Sequence, residues 1–396
     1  MEAYKYMTLV LILFALVPTV YYFFLFRRIF RTAGADHTKP IWVCADILLC
    51  LGAWHFMSHV TSGVAIFLYL IALTDLLVLL IDLIIRKASG KTNDEAGRHV
   101  WKRIFGYCLI PIVLITGYFI FGSINMRSVR ETHYTVTTPK EITDGGYRVC
   151  FVSDVHCGIA NDTEDYELIC RRIAGAQPDI VILGGDMLDF NSQQEAVEEM
   201  FAAFGSIKTK DGIYYIFGNH DRTADYKESV FSEQWIIDQC ESNGIAVLQD
   251  EWLDLGNGIN MLGREDATTK YDRIRKSLDE LFEGVDVSEF ILVADHQPSE
   301  YAQLAQHGTD LALAGHLHAG QLFPSSLLLV PFNDEHVNYG RYLITQDGNV
   351  RAPADGPAKD GEGTATAIIT SGLAGWSYPI RTAGCSEYCI IDIVNE

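Results

Sequence analysis

No two cysteines in the 396-residue sequence are spaced Cys-x-x-Cys, and only 30 Lys and Arg stand against 51 Asp and Glu. The first absence removes cysteine-pair metal motifs; the six cysteines beyond residue 125 permit disulfides in an exported domain, and buried free thiols are the expected state. The second argues against nucleic acid as a general partner, because a net charge of −21 repels a polyanion. No repeat of fixed period is present. The acidity is also unevenly spread. Residues 1–125 hold 11 Lys and Arg with 7 Asp and Glu, whereas residues 126–396 hold 19 with 44.

What fills the first 125 residues is hydrocarbon. Four runs, at 6–26, 41–60, 64–85 and 104–122, are each near the roughly 20 residues that cross a bilayer, so four transmembrane α-helices are expected. A cleaved signal peptide accounts only for the first run. Arg27, Arg28, Arg31 and Lys39 lie between runs one and two, and Arg86, Lys87, Lys91, Arg98, Lys102 and Arg103 between three and four. The loop between two and three has no Lys or Arg. The positive-inside rule then makes the protein multi-pass in the cell membrane with its acidic part extracytoplasmic; an odd number of spans would reverse this. Asp46, Asp75 and Asp82 fall inside the runs. Intramembrane carboxylates mark a functional site or a paired structural cluster, with His55 or His59 as candidate partners.

Residues 126–146 read as a connector, and 147–396 as an α/β domain in which short apolar strands alternate with helices. The stretch 345–364, rich in Gly, Pro, Asp and Lys, reads as a surface-loop insertion. "YRVCFVSDVH" (147–156), "DIVILGGDML" (179–188), "GIYYIFGNHD" (212–221), "FILVADHQP" (290–298) and "LALAGHLH" (311–318) share one design. Each is apolar until its C-terminal end and then releases Asp, Asn or His, the edge at which α/β sheets bind ligands. The polar groups are Asp154, His156, Asp186, Asn219, His220, Asp221, His296, His316 and His318. Mixed carboxylate, amide and imidazole donors suit Mn, Fe or Zn, and their number suits two divalent metal ions rather than one.

In order, "SDVHCG", "GGDMLD", "GNHD", "VADHQP" and "GHLHAGQ" resemble the signature of the calcineurin-like metallophosphoesterases. The tail "SGLAGWSYPIRTAGCSEYCIIDI" points to a bacterial membrane-associated phosphodiesterase branch. Ala319 stands where that branch usually has Gly. The resemblance implies a four-layer α/β/β/α sandwich and a dinuclear centre. Asp154, His156 and His318 would bind one metal, Asn219, His296 and His316 the other, and Asp186 would bridge them. His316 and His318 are expected on one side of an extended segment. His220 would contact phosphate or protonate the leaving oxygen, with Asp221 positioning its ring. The implied reaction is phosphate-ester hydrolysis by a metal-bridging hydroxide. Membrane tethering favours phosphodiesters, with a lipid-linked phosphate ester and the bilayer as partners. The alternatives are a pyrophosphatase of a lipid-bearing nucleotide sugar, similar to UDP-diacylglucosamine hydrolases, and a non-catalytic membrane sensor. Arg381 is a candidate phosphate contact. Asp189 is expected to order its turn, and Glu251, Glu265 and Asp266 to be surface charge.

Overall fold

The structure, a computed structural model, describes residues 2–36, 38–57, 62–89, 95–142, 146–222, 231–268, 274–332, 335–345, 349–351 and 365–396. The chain divides into two compact units, Met1–Phe121 and Gly122–Glu396.

The first unit is helical: α1 (Glu2–Thr32), α2 (Pro40–Met57), α3 (Gly63–Ser89), α4 (Glu95–Gly106) and the start of α5 (Leu109–Arg127). Among the described residues three segments are long and apolar enough to cross a membrane, Pro40–Met57, Gly63–Ile85 and Leu109–Arg127. The expected run 6–26 lies within α1, whose side chains through residue 15 are outside the described residues. The expected run 104–122 is displaced. The chain breaks at Cys108, which adopts a left-handed φ of 56° that an α-helix cannot contain. The amphipathic α4 therefore ends before it, and the apolar helix begins after it. Asp75 is buried and paired, accepting from Arg28 Nη2 at 2.7 Å, from the Tyr21 hydroxyl and from Cys108 Sγ at 3.4 Å. Among the described residues these partners do not include His55, and His59 lies outside the described residues. Asp82 accepts from Trp101 Nε1 at 3.1 Å.

The second unit is a mixed α/β fold around two sheets. In chain order its strands are β1 (Arg130–Thr138), β2 (Tyr147–Val152), β3 (Ile180–Leu183), β4 (Ile213–Ile216), β5 (Ile245–Leu248), β6 (Glu251–Asp254), β7 (Ile259–Gly263), β8 (Phe290–Ala294), β9 (Leu311–Ala314), β10 (Gly340–Ile344), β11 (Val350–Arg351), β12 (Ala365–Ile369) and β13 (Glu387–Asn395). The first sheet runs β1-β13-β2-β3-β4-β5, the second β11-β10-β12-β9-β8-β7-β6. Strands β2 to β5 are mutually parallel, as are β7, β8, β9 and β12. Parallel strands keep their C-terminal ends at one edge, and this gathers the site.

Alternation along each strand divides the core. Cys150, Val152, Val181, Leu183 and Tyr215 face α6 (Thr163–Ala176), α7 (Gln194–Gly205) and α8 (Glu233–Ser242). Val149, Phe151, Ile180 and Ile182 face the other way, against Met261, Phe290, Leu292 and Leu313 of the second sheet. The reverse face of that sheet, with Ile291, Val293 and Ala312, packs on Leu278, Leu281, Tyr301 and Leu304 of α9 (Leu278–Leu281) and α10 (Tyr301–Gln306). Strands buried on both faces explain the unbroken apolar runs of the sequence. Asp162 starts α6 with a capping box, accepting from Asp165 N while its own N–H donates to the Asp165 carboxylate.

Two expectations change. The connector 126–146 contains β1, nine residues long and paired in parallel with β13, so it is part of the sheet. Within 345–364, Val350–Arg351 pairs with β10, while 346–348 and 352–364 lie outside the described residues. All nine cysteines are free.

Candidate metal centre

The C-terminal ends of β2, β3, β4, β8 and β9 meet, and the loops that leave them are laced together by backbone hydrogen bonds. Asp154 N donates to Gly185 O at 2.9 Å, His156 N to Asp186 O at 3.0 Å and Gly315 N to His296 O at 3.0 Å. Donor atoms of Asp154, His156 and His318 lie within 4.8 Å of one another, and so do those of Asp186, His296 and His316. Asp186 joins the groups: its Oδ2 is 3.1 Å from His296 Nε2 and 3.8 Å from His156 Nε2. Asn219 Oδ1 is buried and accepts no hydrogen bond, as expected of an atom that a cation would satisfy. The donors present therefore fit two divalent ions.

His316 and His318 are not on an extended segment. Strand β9 stops at Ala314, and His316 and His318 take left-handed φ values of 67° and 49° in a tight turn. The turn, rather than a pleat, sends one imidazole to each donor group. Asp154, His156 and Asp186 are also left-handed, at 54°, 41° and 52°. Gly315 makes room: a Cβ there would lie 2.1 Å from Asp154 Oδ2 and 2.2 Å from Ser153 Oγ. Gly315→Ala is expected to push Asp154 away from His318 and to deplete metal in the purified full-length protein, as read by elemental analysis; wild-type metal content would contradict this packing.

Burial, then His156 and Arg381, hold the His318 imidazole well below its usual range, and burial with His296 lowers His316. Both are thereby kept in the neutral form that binds metals. Burial alone would raise the Asp186 carboxyl, but His296, with His220 and His156, outweighs it and holds the group well below the usual carboxylate range.

The expected partnership of His220 with Asp221 differs in the structure. The Asp221 carboxylate accepts the backbone N–H groups of Asp186, Leu188 and Gly218 at 2.7–3.0 Å, so it ties down the loop that carries Asp186. The carboxylate near the His220 ring is Asp189, with Oδ1 3.7 Å from Nδ1; its other oxygen is 3.3 Å from His156 Nδ1. Burial lowers the His220 pKa, but Asp189 and Asp186 raise it above the ordinary imidazole value overall. Asp189 also orders its turn as expected, accepting from Phe190 N at 2.7 Å; its place beside the two histidines is what the sequence does not show. Orienting carboxylates of this kind change metal affinity by about 10–100-fold. Asp189→Asn is accordingly expected to weaken metal binding by about that factor and to slow turnover; a titration with Mn that gives the wild-type curve would refute the role.

Other readings also change. Arg381 is fully buried, and its Nη atoms donate to the carbonyls of His318, Ser371 and Ala374. Burial lowers it to about 10, still cationic at neutral pH, so it clamps the turn rather than facing a phosphate. Glu265 and Asp266 are buried, not surface charge, and accept from Arg222 Nε at 2.9 Å and Gln297 Nε2 at 2.8 Å.

Residues 147–320 match the family model for calcineurin-like phosphoesterase. The chain carries a calcineurin-like metallophosphoesterase domain. An uncharacterized metallophosphoesterase of Helicobacter pylori (strain J99) is 26% identical over 288 residues, covering 71% of this chain and 69% of that one. A protein of Danio rerio named transmembrane protein with metallophosphoesterase domain is 25% identical over 367 residues, 88% of this chain and 73% of its own. Coverage of 88% cannot fall within Gly122–Glu396 alone, so this likeness reaches into the helical unit beside the metallophosphoesterase domain. The metallophosphoesterase family uses a dinuclear metal centre and implies metal-dependent hydrolysis of a phosphoester. With the three apolar helices, the chain reads as a membrane protein carrying such a domain.

Proposed function

We propose that the protein is a multi-pass membrane phosphodiesterase that cleaves lipid-linked phosphate esters with its catalytic domain, layered α/β/β/α, on the extracytoplasmic side. The observation that carries the reading is the meeting of two donor groups at Asp186, with the buried Asn219 Oδ1 accepting no hydrogen bond. Asp154, His156 and His318 would hold one ion and Asn219, His296 and His316 the other, with Asp186 available to both. The donor mixture suits Mn, Fe or Zn. Two such cations supply Lewis acidity toward water and toward the phosphoryl oxygens. The chain supplies the remainder. His220, its Nδ1 3.7 Å from Asp189 Oδ1, is placed to give a proton to the departing oxygen, and Asp221 fixes the loop that presents Asp186. Arg381 holds His318 and the 371–374 turn in place. The basic loop Arg86–Arg103 precedes the domain by one candidate span, Leu109–Arg127, so it supports the orientation whether or not α1 also spans, and the reversal expected of an odd count does not apply.

The test is turnover by the detergent-solubilised full-length protein, loaded with Mn, of bis-p-nitrophenyl phosphate and of p-nitrophenyl phosphate, alongside metal analysis. Faster diester turnover is expected. Two bound metals without turnover of either ester would instead favour a binding domain. Protease access to the domain in intact cells tests the orientation, and protection would overturn it.

A further inference from the structure

Between Asp310 and Asp334 lie 23 residues without a charged side chain, in a part of the chain that holds 44 Asp and Glu. The first half of this stretch is β9 and the histidine turn. The second half turns outward. Phe323, Leu327 and Val330, on and around the short helix α11 (Ser326–Leu329), are 54%, 65% and 37% exposed. Exposed apolar side chains gathered on one segment mark an interaction surface.

Hydrogen bonds fix what this segment adjoins. Gln321 Nε2 donates to the carbonyls of Trp376, Tyr378 and Ile380 at 3.1–3.2 Å, and its Oε1 accepts from Trp376 N at 3.1 Å. Thr382 N donates to Gln321 O at 2.8 Å, and Phe323 N to Thr382 Oγ1 at 3.0 Å. The 380–384 stretch also receives the last turns of α5, which from Gly122 onward belong to this unit. Arg381 N donates to Gly122 O at 3.0 Å, and Asn125 Nδ2 donates to Arg381 O at 3.2 Å and Gly384 O at 3.0 Å. A Cβ on Gly122 would lie 2.4 Å from Ile380 Cγ2, so the packing is close. The end of an apolar membrane-length helix, the 376–384 loop and the apolar segment therefore form one hydrogen-bonded block. Its inner rim is Trp376, whose ring is 5.8 Å from that of His220.

We propose that Gln321–Val330 is a bilayer-contacting wedge, with Phe323, Leu327 and Val330 entering the headgroup–acyl boundary of the membrane from which α5 emerges. Two observations select a bilayer over a protein partner. The segment is continuous, through 380–384, with the end of α5. It is also free of charge in an acidic unit that an anionic leaflet repels elsewhere, so this face can approach lipid. The wedge rests on the reading that the site acts on lipid-borne phosphate esters. It deepens that reading, because it brings a phosphoryl group to the rim at Trp376 while its acyl chains stay in the membrane.

The test uses the full chain in vesicles of phosphatidylethanolamine and phosphatidylglycerol, with benzoylphenylalanine placed singly at Phe323, at Leu327 and, as a control, at Leu168 on α6, which is 51% exposed. On irradiation, positions 323 and 327 are expected to label lipid severalfold more than position 168. Labelling equal to the control, or capture of a second copy of the chain in place of lipid, would overturn the wedge. Labelling needs no turnover. A protein that labels at both positions but hydrolyses no diester would refute the assigned reaction and leave the wedge standing.

Discussion

Asp186→Ala is expected to leave the protein without either metal and to lower diester turnover by about 10³-fold or more, since bound cations supply several kcal/mol of charge stabilisation at about 1.4 kcal/mol per tenfold. The reasoning is geometric. Asp186 Oδ2 lies between His296 and His156, one from each donor group, and Oδ1 accepts the His220 N–H at 2.8 Å. Truncation removes the shared oxygen and the acceptor that seats His220. Asp186→Asn keeps the shape and an acceptor for the His220 amide while removing the charge, so it separates loss of metal from loss of fold. Elemental analysis, a thermal melt and turnover on the two variants decide the matter. Two metals and wild-type rate in either variant would end the bridging role.

His220→Ala should do something different: both metals stay and kcat falls by about 10²–10⁴-fold, the range of a positioned general acid. The substitution keeps the backbone N–H that donates to Asp186, so the loop is held as before. Only the imidazole, with Nδ1 3.7 Å from Asp189, is lost. A merely structural histidine would affect all substrates alike. A general acid matters least where the departing oxygen needs no proton, so the loss should be smaller for p-nitrophenyl esters than for alkyl esters. Equal losses on both would make His220 a packing residue.

Much of this centre was legible in the sequence because its parts obey a local rule. An apolar strand that ends in glycine and then Asp, Asn or His announces a sheet edge with polar cargo, and five such ends are brought together. Less legible were features set by distant partners. β1 shows an uneven alternation of exposure and exists because β13, some 250 residues later, pairs with it along nine residues. The work of Asp189 depends on where two histidines from other loops point. Arg381 looked like a phosphate ligand because the sequence does not show that backbone carbonyls would enclose it. The displaced membrane helix turned on a single residue, Cys108, which a hydropathy average cannot resolve.

Asp154, His156, Asp186, His316 and His318 all occupy backbone conformations that side chains disfavour, at of order 1–3 kcal/mol each. The tension should surface in any descendant relieved of its chemistry. Glycine or asparagine at these turns would let the main chain relax, so an inactive copy ought to melt hotter than its working parent. Decay of the reaction would then be written first into these turns, before the cores on either side of the sheets had changed at all.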